Sequence, residues 1–422
     1  MSPTDVAEGH RLLLAGGSVF DGTGAPAERA DVLVVDGGIV GLGSGFDAEE
    51  VLDVSGQTVL PGLIDCHVHV MMTGIDMWVW QQAPFSLMFY EAARNLRRTL
   101  DAGITTVRDA AGADYGVKRA LEAGLIPGPR LLISIAMLSQ TGGHGDGHLL
   151  SGCDIPPFHA HPGAPGGLVD GPDQVRLKVR ELVRARADWI KIATTGGVLS
   201  EDDLHCTQLR DDELAEVAAE AAAARVDVMA HAHAAAGIKA AIRHGARSIE
   251  HAVYLDDEAI DLMLSHGTWL VPTLIAPVAV VEQAEGGATL SADTLRKARE
   301  VADVHATALR RAYDAGVRIA MGTDMGVGVH GENLRELELM HHAGMSVCHV
   351  AHAATGSAAE LLRLDDQIGY AKEGLVADLT VIDGDLDDLA GVGDRVTAVI
   401  QAGRIVHRPA LSTRNQGLPD MS

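Results

Sequence analysis

The sequence predicts an α/β fold: a (β/α)8 (TIM) barrel joined to a small discontinuous β-sandwich domain drawn from both chain ends. Three observations predict it. Between Pro61 and Leu364, short apolar segments alternate with longer segments of helical periodicity, eight times over. Both chain ends instead read as short β segments separated by turns, with no long helix between them. Five of the eight apolar segments end in a potential metal ligand or bridge, and strand ends are where such a barrel keeps its chemistry.

Taken in order, Arg11–Ala15 and Val32–Val35 are apolar strands, and Gly16-Gly17, Asp21-Gly22 and Asp36-Gly37-Gly38 mark turns. The expected barrel strands are Leu63–Val70, Thr105–Asp109, Arg130–Ser134, Trp189–Ala193, Asp227–Ala230, Ser248–Glu250, Thr268–Pro272 and Arg318–Met321. Helices are expected between them, among them Phe85–Ala102, Gln174–Ala187, Asp211–Arg225, Ala292–Ala315 and Leu334–Ala343. Near the end, Ala377–Ile382 reads as a strand, Asp383-Gly384 as a turn, and Val396–Gln401 with Arg404–Val406 as a hairpin about Ala402-Gly403. The division is thus residues 1–60 plus 366–422 for the β domain and 61–365 for the barrel.

Composition agrees with layers of helix on sheet. Of 422 residues, 47% are hydrophobic, enough for a large core, while aromatics make up only 3% and small residues allow close layers. A net charge of -25 argues against a nucleic-acid partner or an anionic membrane surface. Cys66, Cys153, Cys206 and Cys348 are scattered without a CxxC pair, which fits a reducing compartment. The first residues, MSPTDVAEGHR, hold no apolar targeting core, and no run approaches transmembrane length. The expected location is the cytoplasm.

The chemistry is concentrated at the strand ends. In LPGLIDCHVHV, Leu60 to Val70, His67 and His69 are two apart on a strand and leave the same face. Two imidazoles converging there suit a metal that takes nitrogen and oxygen ligands. The fourth strand is Trp189-Ile190-Lys191-Ile192-Ala193, and a lysine among aliphatics is costly unless it is paired, neutralised or modified. The fifth ends in Ala230-His231-Ala232-His233, the sixth in Glu250-His251, and the eighth in Gly322-Thr323-Asp324. Arg108-Asp109, ending the second, reads as an internal salt bridge.

GLIDCHVH, the lone lysine, the two later histidine positions and the final aspartate together resemble the amidohydrolase superfamily. The resemblance spans nearly the whole chain, since ADLTVIDGD and VIQAGRIV look like the family's flanking β domain. It implies two divalent metal ions, zinc by default. It also implies a CO2-derived carbamate on Lys191 that bridges metals about 3.5 Å apart. Carried over by position, His67, His69 and Asp324 would hold one metal, His231 and His251 the other, and Lys191 both. His231 and His233 point the same way and leave the choice open; the resemblance, with its interval of twenty residues before His251, favours His231, which also lies nearer the strand. The implied reaction is hydrolysis of an amide by a metal-bridging hydroxide, with Asp324 taking the proton and passing it to the leaving amine. A small-molecule substrate and a homo-oligomer are implied as well.

The loop after the third strand narrows the substrate. Thr141-Gly142-Gly143-His144-Gly145-Asp146 resembles the branch containing Xaa-Pro and Xaa-Arg dipeptidases and hydrolases of N-acyl amino acids such as ochratoxin. A dipeptide or N-acyl amino acid is therefore the expected substrate, with His144 as donor to its α-carboxylate. His233, Tyr254 and His330 are further candidate substrate contacts, and Trp78, Trp80 and Phe85 a candidate apolar wall. His148, His159 and His161 read as solvated loop residues. Competing readings are a lactonase, carbamate or cyclic-amide hydrolase. A deaminase is disfavoured by Lys191, and a metal-free scaffold by the full set of ligands.

Overall fold

The computed structural model describes residues 9–156 and 158–408. Residues 1–8 and 409–422, which the sequence assigns to the terminal β domain, and Pro157 of the long loop lie outside the described residues.

Two parallel sheets carry the middle of the chain. Leu63–Val68, Ile104–Asp109 and Arg130–Ile133 form the first. Met137–Leu138, Trp189–Ala193, Asp227–Ala234, Ser248–Tyr254 and Trp269–Val271 form the second. The chain passes from one to the other at Ile135, whose φ of +69° breaks the strand direction. Helices follow the strands, including Leu87–Asp101, Pro172–Arg184, Asp211–Ala224 and Ala292–Ala315. Their ends follow local chemistry: Ser291 accepts from Thr294 N to start the last of these, and Gly316 at φ +88° stops it.

The strands separate two kinds of residue by alternation. Ile190, Ile192, Ala230 and Ile249 join the large cluster that the helices cover. Trp189 and Met229, two positions before Lys191 and His231, pack instead with Ile64, Cys66, Trp269 and Val271. Lys191 and His231 therefore stand above an apolar floor on the face turned away from the helices.

Seven of the expected strands are present, two of them running on to Ala234 and Tyr254. The eighth, Arg318–Met321, is not a strand. Its segment meets its neighbours through single parallel bridges, Leu270 with Ile319 and Val68 with Met325. The cause is where its donors go. Met321 N donates to Ala353 O at 2.8 Å, while Thr323 N and Asp324 N both donate to His67 O, at 3.2 and 2.7 Å. With two donors on one carbonyl and Asp324 at φ +61°, the even spacing of a parallel ladder is lost. The segment still bonds to both sheets, through Leu270 N to Arg318 O at 2.8 Å and Cys66 N to Met321 O at 2.9 Å.

The two chain ends meet in antiparallel pairing. Gln57–Pro61 pairs with Leu379–Asp383, which pairs in turn with Val396–Gln401. The hairpin to Arg404–His407 turns at Ala402 and Gly403, with φ of +48° and +74°. Leu12, Leu14, Val32, Val59, Leu379 and Ile400 form a separate apolar cluster here. No described helix is long and apolar enough to cross a membrane.

Candidate metal centre

His67 is fully buried, and its Nδ1 lies 2.7 Å from Glu250 Oε2. His69 Nδ1 lies 2.9 Å from Ala111 O. Both partners can only accept, so each Nδ1 donates and each Nε2 keeps its lone pair. Both Nε2 atoms face Asp324 Oδ1, at 3.4 and 3.2 Å. His67 Nε2 and Asp324 Oδ1 are buried without an aligned hydrogen bond. Lone pairs held face to face out of water are costly unless a cation lies between them.

His251 completes the cluster from the strand Ser248–Tyr254. One ligand atom each from His67, His251 and Asp324 falls within 4.8 Å of the others. His251 Nδ1 is bonded to Thr273 Oγ1 at 2.7 Å, which again leaves Nε2 free. This mixed nitrogen–oxygen set fits a divalent transition metal.

Buried partners behind them hold these candidate ligands in place. Arg108, fully buried, donates to Glu250 Oε1 at 3.1 Å, to Cys66 O at 2.6 Å and to Ser248 Oγ at 3.2 Å. The expected Arg108–Asp109 salt bridge is not formed. Alternation along the strand turns the two side chains apart, and Asp109 accepts from Val70 N, Ala111 N and Ala113 N instead. Burial would raise Glu250, but Arg108 and then His67 hold it at about 2. Asp65 accepts from Thr323 Oγ1 at 2.6 Å and Asn333 Nδ2 at 2.8 Å, tying the first strand to the segment that carries Asp324.

Lys191 is 1% exposed and has no ion-pair partner among the described residues. Burial pushes its ammonium down to about 8. Burial, and then the neighbouring imidazoles, hold His231, His233 and His251 well below the ordinary histidine value, so they carry lone pairs at neutral pH. Burial would raise Asp324, and it is held well below the carboxylate range only by a cation beside it, an imidazolium form of His67 or His69 or a metal ion in its place. The site is therefore anionic at Asp324 and rich in neutral nitrogen donors.

All six expected ligands, with His144 and His233, line one cavity of about 1050 Å³. The ring of His231 lies 4.7 Å from those of both His233 and His251. Its Nε2 sits 3.2 Å from Gly196 O, while His233 Nδ1 is buried without a partner. His144 stacks on His231 at 4.1 Å. Met72, Trp78, Phe158, Val280 and Val327 give the cavity an apolar wall. Phe158 stacks on His69 at 5.5 Å.

Two expected contacts lie elsewhere. The Tyr254 hydroxyl donates to Glu300 Oε1 at 2.5 Å, and its ring packs on His205. Tyr254 follows His251 by three residues, an odd interval that alternation places on the other face, and positive φ at His251 and Ala252, +72° and +52°, makes the strand irregular there. His330 is buried outside the cavity lining, its Nε2 3.2 Å from both His69 O and Met72 O, where it props the turn after His69. Of the loop histidines, His148 pairs with Asp154 at 2.6 Å, and His161 packs edge-on against Phe85 and Phe89. Sequence reasoning missed Glu250 and Asp65, although a carboxylate inside an apolar strand was a signal for both. It also missed Lys297 and Ser200, for which a polar helix and a loop carried none.

Alternating parallel strands and helices, with a histidine–carboxylate cluster at the strand ends, define a mixed α/β protein built around a metal-type site. Residues 58–406 match the amidohydrolase family. The chain is 32% identical to the ochratoxinase of Aspergillus niger, over 94% of this chain and 87% of that protein. A solved Xaa-Pro dipeptidase with bound methionine in the active site is 33% identical, with a TM-score of 0.85 over 94% of this chain and 99% of that one. A prolidase complexed with N-methylphosphonate-L-proline is 34% identical, with a TM-score of 0.85 over 94% and 100%. The chain belongs to the amidohydrolase family.

Proposed function

We propose that this protein hydrolyses the amide bond of a dipeptide or N-acyl amino acid at a centre holding two divalent metal ions. The observation that carries the reading is the convergence of His67 Nε2 and His69 Nε2 on Asp324 Oδ1, with each Nδ1 already engaged. His67, His69 and Asp324 would hold one metal and His231 and His251 the other. A Lys191 carbamate would bridge them, and the unpaired, burial-depressed amine supports it: CO2 adds to a neutral amine, with loss of a proton. When bound, the metals supply Lewis acidity toward the carbonyl and an activated water.

The chain's own groups do the rest. Asp324 takes the proton of the attacking water and returns it to the leaving nitrogen. Glu250 and Thr273 fix the rings of His67 and His251. His144 and His233 face the substrate from the cavity wall. The ochratoxinase and prolidase relatives support an amide substrate with an amino-acid half. We also read the two parallel sheets as a barrel closed through residues 318–325, with residues 1–60 and 366–422 forming the β domain. A cytoplasmic homo-oligomer completes the reading.

The test is a hydrolysis screen of zinc-loaded, bicarbonate-treated protein against dipeptides and N-acyl amino acids, reading amine release. Turnover confined to substrates with a free C-terminal carboxylate is expected. Hydrolysis of lactones, carbamates or ring amides alone would overturn the substrate assignment.

A further inference from the structure

Lys297, on the helix Ala292–Ala315, is 1% exposed. Its ammonium donates to the carbonyls of Gly197 at 3.2 Å, Ser200 at 2.5 Å and Asp202 at 3.0 Å. Three donors meet three acceptors, with Asp293 nearby at 3.3 Å. The loop that follows the Lys191 strand is thereby pinned from the far side of the cavity.

At the centre of that loop, the surroundings of Ser200 Oγ leave its proton few choices. Gly197 N donates to it at 3.1 Å. The Asp202 carboxylate and Gly197 O can only accept from it. Asp202 Oδ2 is meanwhile taken by Gln208 Nε2, whose Oε1 accepts from His144 N at 2.9 Å, so the amide is oriented unambiguously. The remaining neighbour of Ser200 Oγ is His144 Nδ1, at 2.9 Å. A hydroxyl has one proton, already directed to an acceptor, so His144 Nδ1 must be the donor. His144 Nε2 has no hydrogen-bond partner among the described residues, and its ring lines the cavity over His231. Gly197 lies so close to this ring that a Cβ there would come within 2.1 Å of it.

We propose that Ser200 and Lys297 are positioning residues that lock His144 with its proton on Nδ1. Nε2 then faces the cavity as a hydrogen-bond acceptor, and the ligand group it meets is an amine N–H. A carboxylate, the partner expected from the sequence, would find a lone pair there rather than a proton. The inference rests on reading the cavity as the substrate site, but its test needs no turnover.

Full-length zinc-loaded protein labelled with 15N-histidine is examined by long-range 1H–15N correlation, with His144 signals assigned by their loss in His144→Gln. The expected wild-type pattern is protonated Nδ1 and bare Nε2 at neutral pH. Ser200→Ala is expected to lose that pattern through tautomer exchange, and Ser200→Thr to keep it. A proton on Nε2 in the wild type, or an unchanged pattern in Ser200→Ala, overturns the lock. L-methionine and its amine-free analogue 4-methylthiobutanoate are the ligand probes. A shift of His144 Nε2 with methionine alone supports the amine contact, whereas shifts with both, or with neither, overturn it. If the hydrolysis screen fails while the lock is observed, only the proposed reaction falls.

Discussion

Arg108 and Glu250 form a fully buried ion pair, 3.1 Å apart, directly behind His67. The pair joins residues from two strands far apart in sequence, and Glu250 Oε2 accepts from both Arg108 and His67 Nδ1. A ligand-orienting bond and a stabilising ion pair thus depend on one carboxylate.

Glu250→Gln removes the charge but keeps the shape. Arg108 is left as an uncompensated buried cation, with an expected loss of about 3–5 kcal/mol in denaturant unfolding. Zinc affinity is expected to fall about 10- to 100-fold, because His67 loses the charged acceptor that orients it. Unchanged stability and unchanged metal affinity, by unfolding and competitive chelation, would show that these buried partners do not hold the ligands.

Gly197→Ala tests the packing of the loop against His144. The new Cβ would lie within 2.1 Å of the imidazole, so the ring must move off His231. A displacement of this order is expected to lower kcat/KM about 10- to 100-fold on any substrate the wild type cleaves. The accompanying loss of stability should be about 1–3 kcal/mol. An alanine variant with wild-type kcat/KM would show that the ring position is not used.

Glu336 offers a test in pH. It is buried, and its two oxygens accept from Leu274 N and Ile275 N, each at 2.8 Å. Burial nevertheless outweighs these bonds and raises the carboxyl to about 8. A folded value above the unfolded one favours the protonated form. The contribution of Glu336 is therefore full below the ordinary carboxyl range and is lost as pH rises toward 8. The slope is about 1.4 kcal/mol per pH unit inside that window. The stability advantage of wild type over Glu336→Gln should shrink between pH 5 and pH 8 by thermal unfolding. An advantage that grows with pH would mean that the two N–H donors hold the carboxylate charged.

The candidate ligand positions were legible because they lie at the ends of strands. His67, His69, Lys191, His231, His251 and Asp324 were found at strand ends and assigned through the family resemblance, and one cavity gathers them. What the sequence did not show depends on pairing across the fold. Arg108 reaches Glu250 rather than its neighbour Asp109, because strand alternation turns adjacent side chains apart and strand order decides who faces whom. Tyr254 was misplaced because closeness in sequence to His251 was read as closeness in space, whereas residues three apart on a strand point to opposite faces. The eighth strand read as apolar and extended, yet its donors go to a helix carbonyl and to His67 O. The Lys297 contacts to the loop were invisible because backbone carbonyls leave no mark in a sequence.

The most direct test of the central claim is metal content together with turnover in Lys191→Ala, prepared with zinc and bicarbonate beside the wild type. Two zinc ions per chain are expected in the wild type, with at least one fewer in the variant and nearly complete loss of amine release. A variant that keeps its full metal content and full activity would contradict the binuclear site.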